Sequence, residues 1–264
     1  MFVTVGDAQL YAVAFGSPKA PAILGIGGWI GSWELWADPF SLLSERWRTL
    51  AFDHRGAGVT QAPVGSITFA ILVDDVFAIL DRFGVEHAIL AAESAGAAIA
   101  LGAALSRPER ITGLVIVDGH YFQETPPASD RFYAALLASY PEALDWFVDA
   151  CVPEPDCEAI KQWGRQILGR AEPQAAQALY RMAHSVDLRP EIKRITQPAL
   201  ILHGELDRIE PLDSARFLAE QIPGARLEIL PGAGHVPTMT HPRAVAEAIE
   251  RFFGRPVESP DPLP

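Results

Sequence analysis

The chain has 264 residues, 49% of them hydrophobic, and a formal net charge of −12. That length suits one large α/β domain or a core carrying an inserted module. The negative balance argues against a nucleic-acid partner or an anionic membrane surface, since both would repel the chain as a whole.

The opening MFVTVGDAQLYAVAFG lacks a basic segment followed by a long apolar one, and no later run reaches about 18 apolar residues without charge. A cytoplasmic protein with no membrane partner is expected. Phe2 to Val5 and Ala8 to Phe15 alternate as two strands joined at Gly6-Asp7, a hairpin turn pair. Ala22 to Ile26 form a third strand, which runs into the glycine-dense loop Gly25-Ile26-Gly27-Gly28-Trp29-Ile30-Gly31. Leu42 to Trp47 have the pattern of a helix end, and Thr49 to Asp53 that of a fourth strand leading into Asp53-His54-Arg55-Gly56-Ala57-Gly58. Ile67 to Phe83 make an amphipathic helix stopped at Gly84. Ala88 to Ala92 are a short apolar strand, followed by a helix of small residues from Gly96 to Leu105 and a sixth strand from Leu114 to Val117.

From Tyr121 to about Ile192 the strand signal disappears. Ser129 to Ser139, Pro141 to Cys151, Cys157 to Leu168 and Pro173 to Ser185 are expected as four helices. Strand signal resumes at Ala199 to Leu202, then a helix from Leu212 to Gln221, a strand from Leu227 to Leu230 and a closing helix from Ala244 to Phe253. Strands alternating with helices after a hairpin predict a mostly parallel eight-stranded sheet covered on both faces. Residues 1–119 and 193–264 would form the core, and 120–192 an inserted helical cap over the carboxyl ends of the strands, where functional loops gather. The Pro- and acid-rich tail from Arg255 to Pro264 is the one stretch expected to lie outside packed structure.

Ser94 stands at the switch from strand to helix, in Ala92-Glu93-Ser94-Ala95-Gly96. Small residues two positions to either side suit a sharp turn that lifts the hydroxyl above the sheet edge. Asp207, in His203-Gly204-Glu205-Leu206-Asp207, and His235, after Gly232-Ala233-Gly234, follow later strands. A serine hydroxyl is a poor nucleophile at neutral pH, so a base must take its proton as it attacks a carbonyl. His235 suits that role and the later protonation of the leaving oxygen, and Asp207 would fix the histidine tautomer and stabilise the imidazolium. Asp118 also ends a strand and is the rival acid. Glu93, beside the nucleophile, is expected to brace a neighbouring loop.

Taken in order, the loop before Trp29, the Asp53 to Gly58 run, the elbow at Ser94, Gly204 to Pro211 and Gly234-His235 resemble the α/β-hydrolase superfamily from about residue 20 to residue 253. The likeness is greatest to small capped carboxylesterases and enol-lactonases. The resemblance implies an oxyanion hole from the backbone N–H groups of Ala95 and Trp29, with Gly27 where relatives commonly carry His. It also implies a serine hydrolase acting on a small to medium apolar carboxylic ester or lactone through an acyl-enzyme, as a monomer or homodimer. Gly28, Trp29, His120, Tyr121, Phe122, Trp146 and Val236 are candidates for the substrate pocket.

Cofactor and metal are not expected. Cys151 and Cys157 stand too far apart for C-x-x-C and have no histidine at finger spacing, and His54, His120, His203 and His241 form no compact ligand pattern. Three alternatives remain open. A C–C bond hydrolase would use the same three residues, and a ligand receptor could retain them with slow turnover. A dinucleotide site would use Gly25-x-Gly27 and Asp53, although Ile30 stands where its fingerprint needs glycine.

Overall fold

Alternation along the central strands decides the layering. In the computed structural model, which describes residues 1–122 and 129–254, Leu24, Leu50, Leu90, Leu114 and Ile201 point into one apolar core, and Ile23, Ala51, Ile89, Val115 and Leu200 into another. A strand buried on both faces needs helices on both. The strands are β1 (Phe2–Val5), β2 (Ala8–Phe15), β3 (Ala22–Ile26), β4 (Arg48–Phe52), β5 (Ala88–Glu93), β6 (Ile111–Val117), β7 (Ala199–Gly204) and β8 (Arg226–Leu230). They form one eight-stranded sheet in the order β1-β2-β4-β3-β5-β6-β7-β8. The β1–β2 and β2–β4 pairings are antiparallel and the others parallel, as the sequence pattern predicted.

Helices α1 (Ala37–Leu43) and α10 (Pro242–Phe253) cover the second core, and α2 (Phe69–Arg82), α3 (Gly96–Ser106) and α8 (Leu212–Gln221) the first. The small residues of α3 let it lie close to its neighbours: a Cβ added at Gly102 would come within 2.5 Å of the Phe69 ring.

Among the described residues, four α-helices, α4 (Arg131–Ala138), α5 (Tyr140–Cys151), α6 (Glu158–Leu168) and α7 (Pro173–Ala183), lie in the connection between β6 and β7, where four were expected. Asp130 caps α4 by accepting the N–H groups of Phe132 and Tyr133 at 2.7 and 3.2 Å, and α5 and α7 each carry proline in the first turn, where its missing N–H costs nothing. Residues 123–128 of the predicted insertion and the tail 255–264 lie outside the described residues.

Two local expectations are corrected. The helix anticipated at Leu42–Trp47 ends at Leu43. The N–H groups of Arg46 and Trp47 both return to the Leu43 carbonyl, at 3.1 and 2.9 Å, which turns the chain so that Arg48 can enter β4 against Pro21. The amphipathic helix starts at Phe69 rather than Ile67, because Thr68 accepts the Ile71 N–H and caps it. A further short helix, α9 (Pro237–Thr240), directly after His235, was not anticipated.

Candidate active site

Ser94 occupies the left-handed region at φ 50°, which a residue with a side chain adopts only when its surroundings enforce it. Its N–H donates to the Val117 carbonyl on β6, and its own carbonyl accepts from His120, both at 2.9 Å. The glycines nearby are there for space. A Cβ at Gly96 would meet the Gly27 carbonyl oxygen at 2.5 Å, and one at Gly28 would stand 3.0 Å from the Ser94 Cβ.

The turn after β7 carries Asp207. Its Oδ1 accepts the N–H groups of Ile209 and Glu210, at 2.7 and 3.1 Å, which aims Oδ2 at His235 Nδ1, 2.8 Å away. A carboxylate can only accept, so the neutral ring carries its proton on Nδ1 and its lone pair on Nε2. That lone pair faces Ser94 Oγ at 2.9 Å. Burial opposes charge on both partners. Their attraction outweighs it: Asp207 is held below the usual carboxylate range, and the imidazolium of His235 is stabilised until its pKa rises to about 9.

The loop bearing His235 is fixed from outside the sheet. The Gly234 N–H donates to Glu154 Oε1 at 2.7 Å and the His235 N–H to the Cys151 carbonyl at 2.9 Å, so the end of α5 holds two consecutive amides of that loop. Glu93, expected as a brace, accepts the Thr238 hydroxyl of α9 at 2.6 Å; burial pushes its carboxyl up to about 7.

Trp29 follows β3. The Gly28 carbonyl lies 3.1 Å from His54 Nε2, and across the same trans peptide the Trp29 N–H faces the other way. The indole N–H of Trp29 donates to Ala176 of α7 at 2.8 Å, and its ring meets those of Phe132, Phe147 and Tyr180 edge-on. A loop with Gly27 in place of histidine is thereby held by other means. Ala95 stands at the head of α3.

Asp118 comes close to Asp207 without touching His235. Its Oδ1 accepts the Gly204 N–H at 2.8 Å, and its Oδ2 is buried without a hydrogen-bond partner. Burial first, and then the Asp207 charge, push this carboxyl well above the ordinary range. Asp118, His203 and Asp207 bring donor atoms within 4.8 Å of one another, a grouping the spacing of histidines did not show. Both Asp207 oxygens are already engaged, by His235 and by two backbone N–H groups, and burial disfavours charge on Asp118, which makes a poor donor set for a cation. Asp53, the acid of a dinucleotide reading, spends its two oxygens on the N–H groups of Trp33 and Val59, at 2.8 and 2.9 Å.

Two cavities meet at Ser94. The first is apolar, and its wall includes Gly28, Trp29, Phe147, Leu168, Val236 and Met239. The second has Trp29, Ala95, His120 and Trp146 on its wall. Of the residues singled out for the pocket, Tyr121 and Phe122 are placed elsewhere. Tyr121 is fully buried with its hydroxyl on the Ser214 carbonyl at 2.9 Å, and Phe122 packs between Tyr121 and the Arg189 guanidinium. Sequence reasoning missed Phe147 and Leu168 on the first wall, and Asp130, His184 and Glu210 on the second. Of these only Glu210 had a signal, its position three residues after Asp207.

Residues 24–248 match the profile of the alpha/beta hydrolase family. RutD of Caulobacter sp. (strain K31), a carbamate hydrolase by name, is 28% identical over 92% of this chain and 95% of its own. The pimeloyl-[acyl-carrier protein] methyl ester esterase of Aeromonas hydrophila is likewise 28% identical, over 89% of this chain and 96% of its own. Among solved structures, a hydrolase from Pseudomonas aeruginosa superposes with a TM-score of 0.88 at 26% identity, covering 97% of this chain and 98% of that one. The enol-lactonase from Burkholderia xenovorans shares the fold, with a TM-score of 0.87 at 23% identity over 97% of this chain and 100% of its own. On the match across its sheet and loops, the chain belongs to the alpha/beta hydrolase family.

Proposed function

We propose that this protein is a serine hydrolase that cleaves a carboxylic ester or lactone through an acyl-enzyme. The names of its relatives, a methyl ester esterase and a carbamate hydrolase among them, support hydrolysis at an acyl carbon. The observation that carries the serine mechanism is the unbroken line from Ser94 Oγ through His235 to Asp207, at 2.9 and 2.8 Å.

In this reading Ser94 attacks the carbonyl as His235 Nε2 takes its proton, and Asp207 stabilises the imidazolium that results. The developing oxyanion is met by the N–H groups of Trp29 and Ala95, preorganised donors beside an apolar cavity. His235 then protonates the leaving oxygen and afterwards draws a proton from water to release the acid. Helices α4–α7 serve as a cap that roofs both cavities. In this reading Asp118, whose Oδ1 accepts the Gly204 N–H, is not the acid of the triad.

Labelling by a fluorophosphonate and turnover of p-nitrophenyl esters of rising chain length, beside lactones of several ring sizes, test this reading. Wild-type protein is expected to label at Ser94 and to turn over repeatedly, and Ser94→Ala to do neither. Continued hydrolysis by Ser94→Ala would remove Ser94 from the mechanism, and a single burst without turnover would favour a receptor.

A further inference from the structure

The second cavity at Ser94, about 220 Å³ in volume, differs in chemistry from the first. Its polar wall consists of His120, Asp130, Tyr180, His184 and Glu210, with Arg208 at the edge. His120 Nδ1 lies 2.7 Å from Glu210 Oε1, and His184 Nδ1 lies 2.9 Å from the Tyr180 carbonyl oxygen. Both of those oxygens only accept, so each ring carries its proton on Nδ1 and, when neutral, has its lone pair on Nε2, which in His184 stands 3.6 Å from Asp130 Oδ2.

Burial first, and then the nearby His120, hold His184 below the ordinary imidazole range. Nε2 of His120 is buried without any hydrogen-bond partner, on a side chain 9% exposed. The donors that could have matched these acceptors are spent inside the wall. The Tyr180 hydroxyl donates to Asp130 Oδ2 at 2.6 Å, and the Trp29 indole donates to Ala176. Apart from the Ser94 hydroxyl and the N–H groups of Trp29 and Ala95, which the proposed reaction uses, what remains is Arg208 and the Trp146 indole, both on exposed side chains, where a charge or a donor is already solvated.

A buried wall of acceptors leaves a cost that only a donating group can remove. Building on the hydrolase reading, we propose that the substrate is amphipathic: one arm of the ester or lactone is apolar and fills the first cavity. The other arm carries a hydroxyl or ammonium group that donates to His120, His184 and Glu210. An arm ending in carboxylate meets Asp130 and Glu210 and is excluded.

The test is a matched series of ethyl esters at pH 8, with six-carbon acyl chains ending in methyl, hydroxyl, ammonium or carboxylate, and a second series with the same termini on the alcohol arm. In one of the two series the hydroxyl and ammonium esters are expected to exceed the carboxylate ester at least tenfold in kcat/KM, about the worth of one hydrogen bond to a charged group. Glu210→Gln should shrink the ammonium-to-carboxylate ratio several-fold; any effect of that change on the chemical step is common to all the esters and cancels in the ratio. A methyl or carboxylate terminus giving the best substrate in both series overturns the proposal while leaving the hydrolase reading intact. Inert esters together with no fluorophosphonate labelling would sink both.

Discussion

At the scale of single residues, the proposed mechanism needs His235 neutral to accept a proton from Ser94, yet Asp207 favours its charged form strongly enough to raise its pKa to about 9. The free enzyme should therefore gain kcat/KM with rising pH and level off only above about 9. Asp207→Asn removes the charge that raises the ring and releases the tautomer, so the rising limb should move to lower pH while kcat drops by on the order of 10⁴-fold. A pH–rate profile of both proteins checks this; a wild-type rate in the variant would hand the acid role to Asp118. The same shift acts on stability. The contribution of charged His235 is fully present below about 6.5 and is lost as pH rises through about 9.

At the scale of elements, α5 and the loop of His235 are one mechanical unit, because Cys151 at the end of α5 and Glu154 just beyond it hold the amides of His235 and Gly234. Glu154→Ala would leave the buried Gly234 N–H unsatisfied, at about 1–3 kcal/mol, and free the loop to move. The expected result is a roughly tenfold fall in kcat, since small misplacement of a base is felt in the chemical step. KM should change little and Glu154→Gln, which keeps an acceptor oxygen, should restore most of the rate. Steady-state kinetics on the two variants decides it, and equal losses in both would deny the positioning role. The elements themselves were legible in the sequence, because period-two strands and capped helices are local patterns. The sequence pointed to Ser94, Asp207 and His235 because each follows a strand, Ser94 and His235 among small residues and Asp207 three residues after Gly204, and the structure brings the three side chains together. The cavity walls were not: His120 and Glu210 meet across 90 positions of chain, and no local spacing encodes that. Tyr121 was misplaced because adjacency to β6 suggests the rim, whereas its ring turns back into the core against Phe217.

At the scale of the whole molecule, the first loops are tied down by Arg55, which is buried. It makes paired hydrogen bonds to Asp75 of α2 at 2.7 and 3.0 Å, and further bonds to Asp7, Ser66 and the Val5 carbonyl. A buried ion pair of this kind holds elements in register more than it adds to net stability, and here it joins the hairpin, the loop after β4 and α2. Rigidity of that sort is what allows one residue elsewhere to be kept in a conformation it would abandon if free. The left-handed backbone at Ser94 is such a residue. Alanine at that position inherits the discomfort, whereas glycine tolerates it, so of two variants that the proposed mechanism leaves equally inactive the Ser94→Gly form should be harder to unfold than the Ser94→Ala form, by about 1 kcal/mol. Equilibrium unfolding of the pair would measure the toll directly, and equal midpoints would mean that none is levied. A lineage that gave up this chemistry could then drift toward glycine at the elbow and become hardier for having lost its activity.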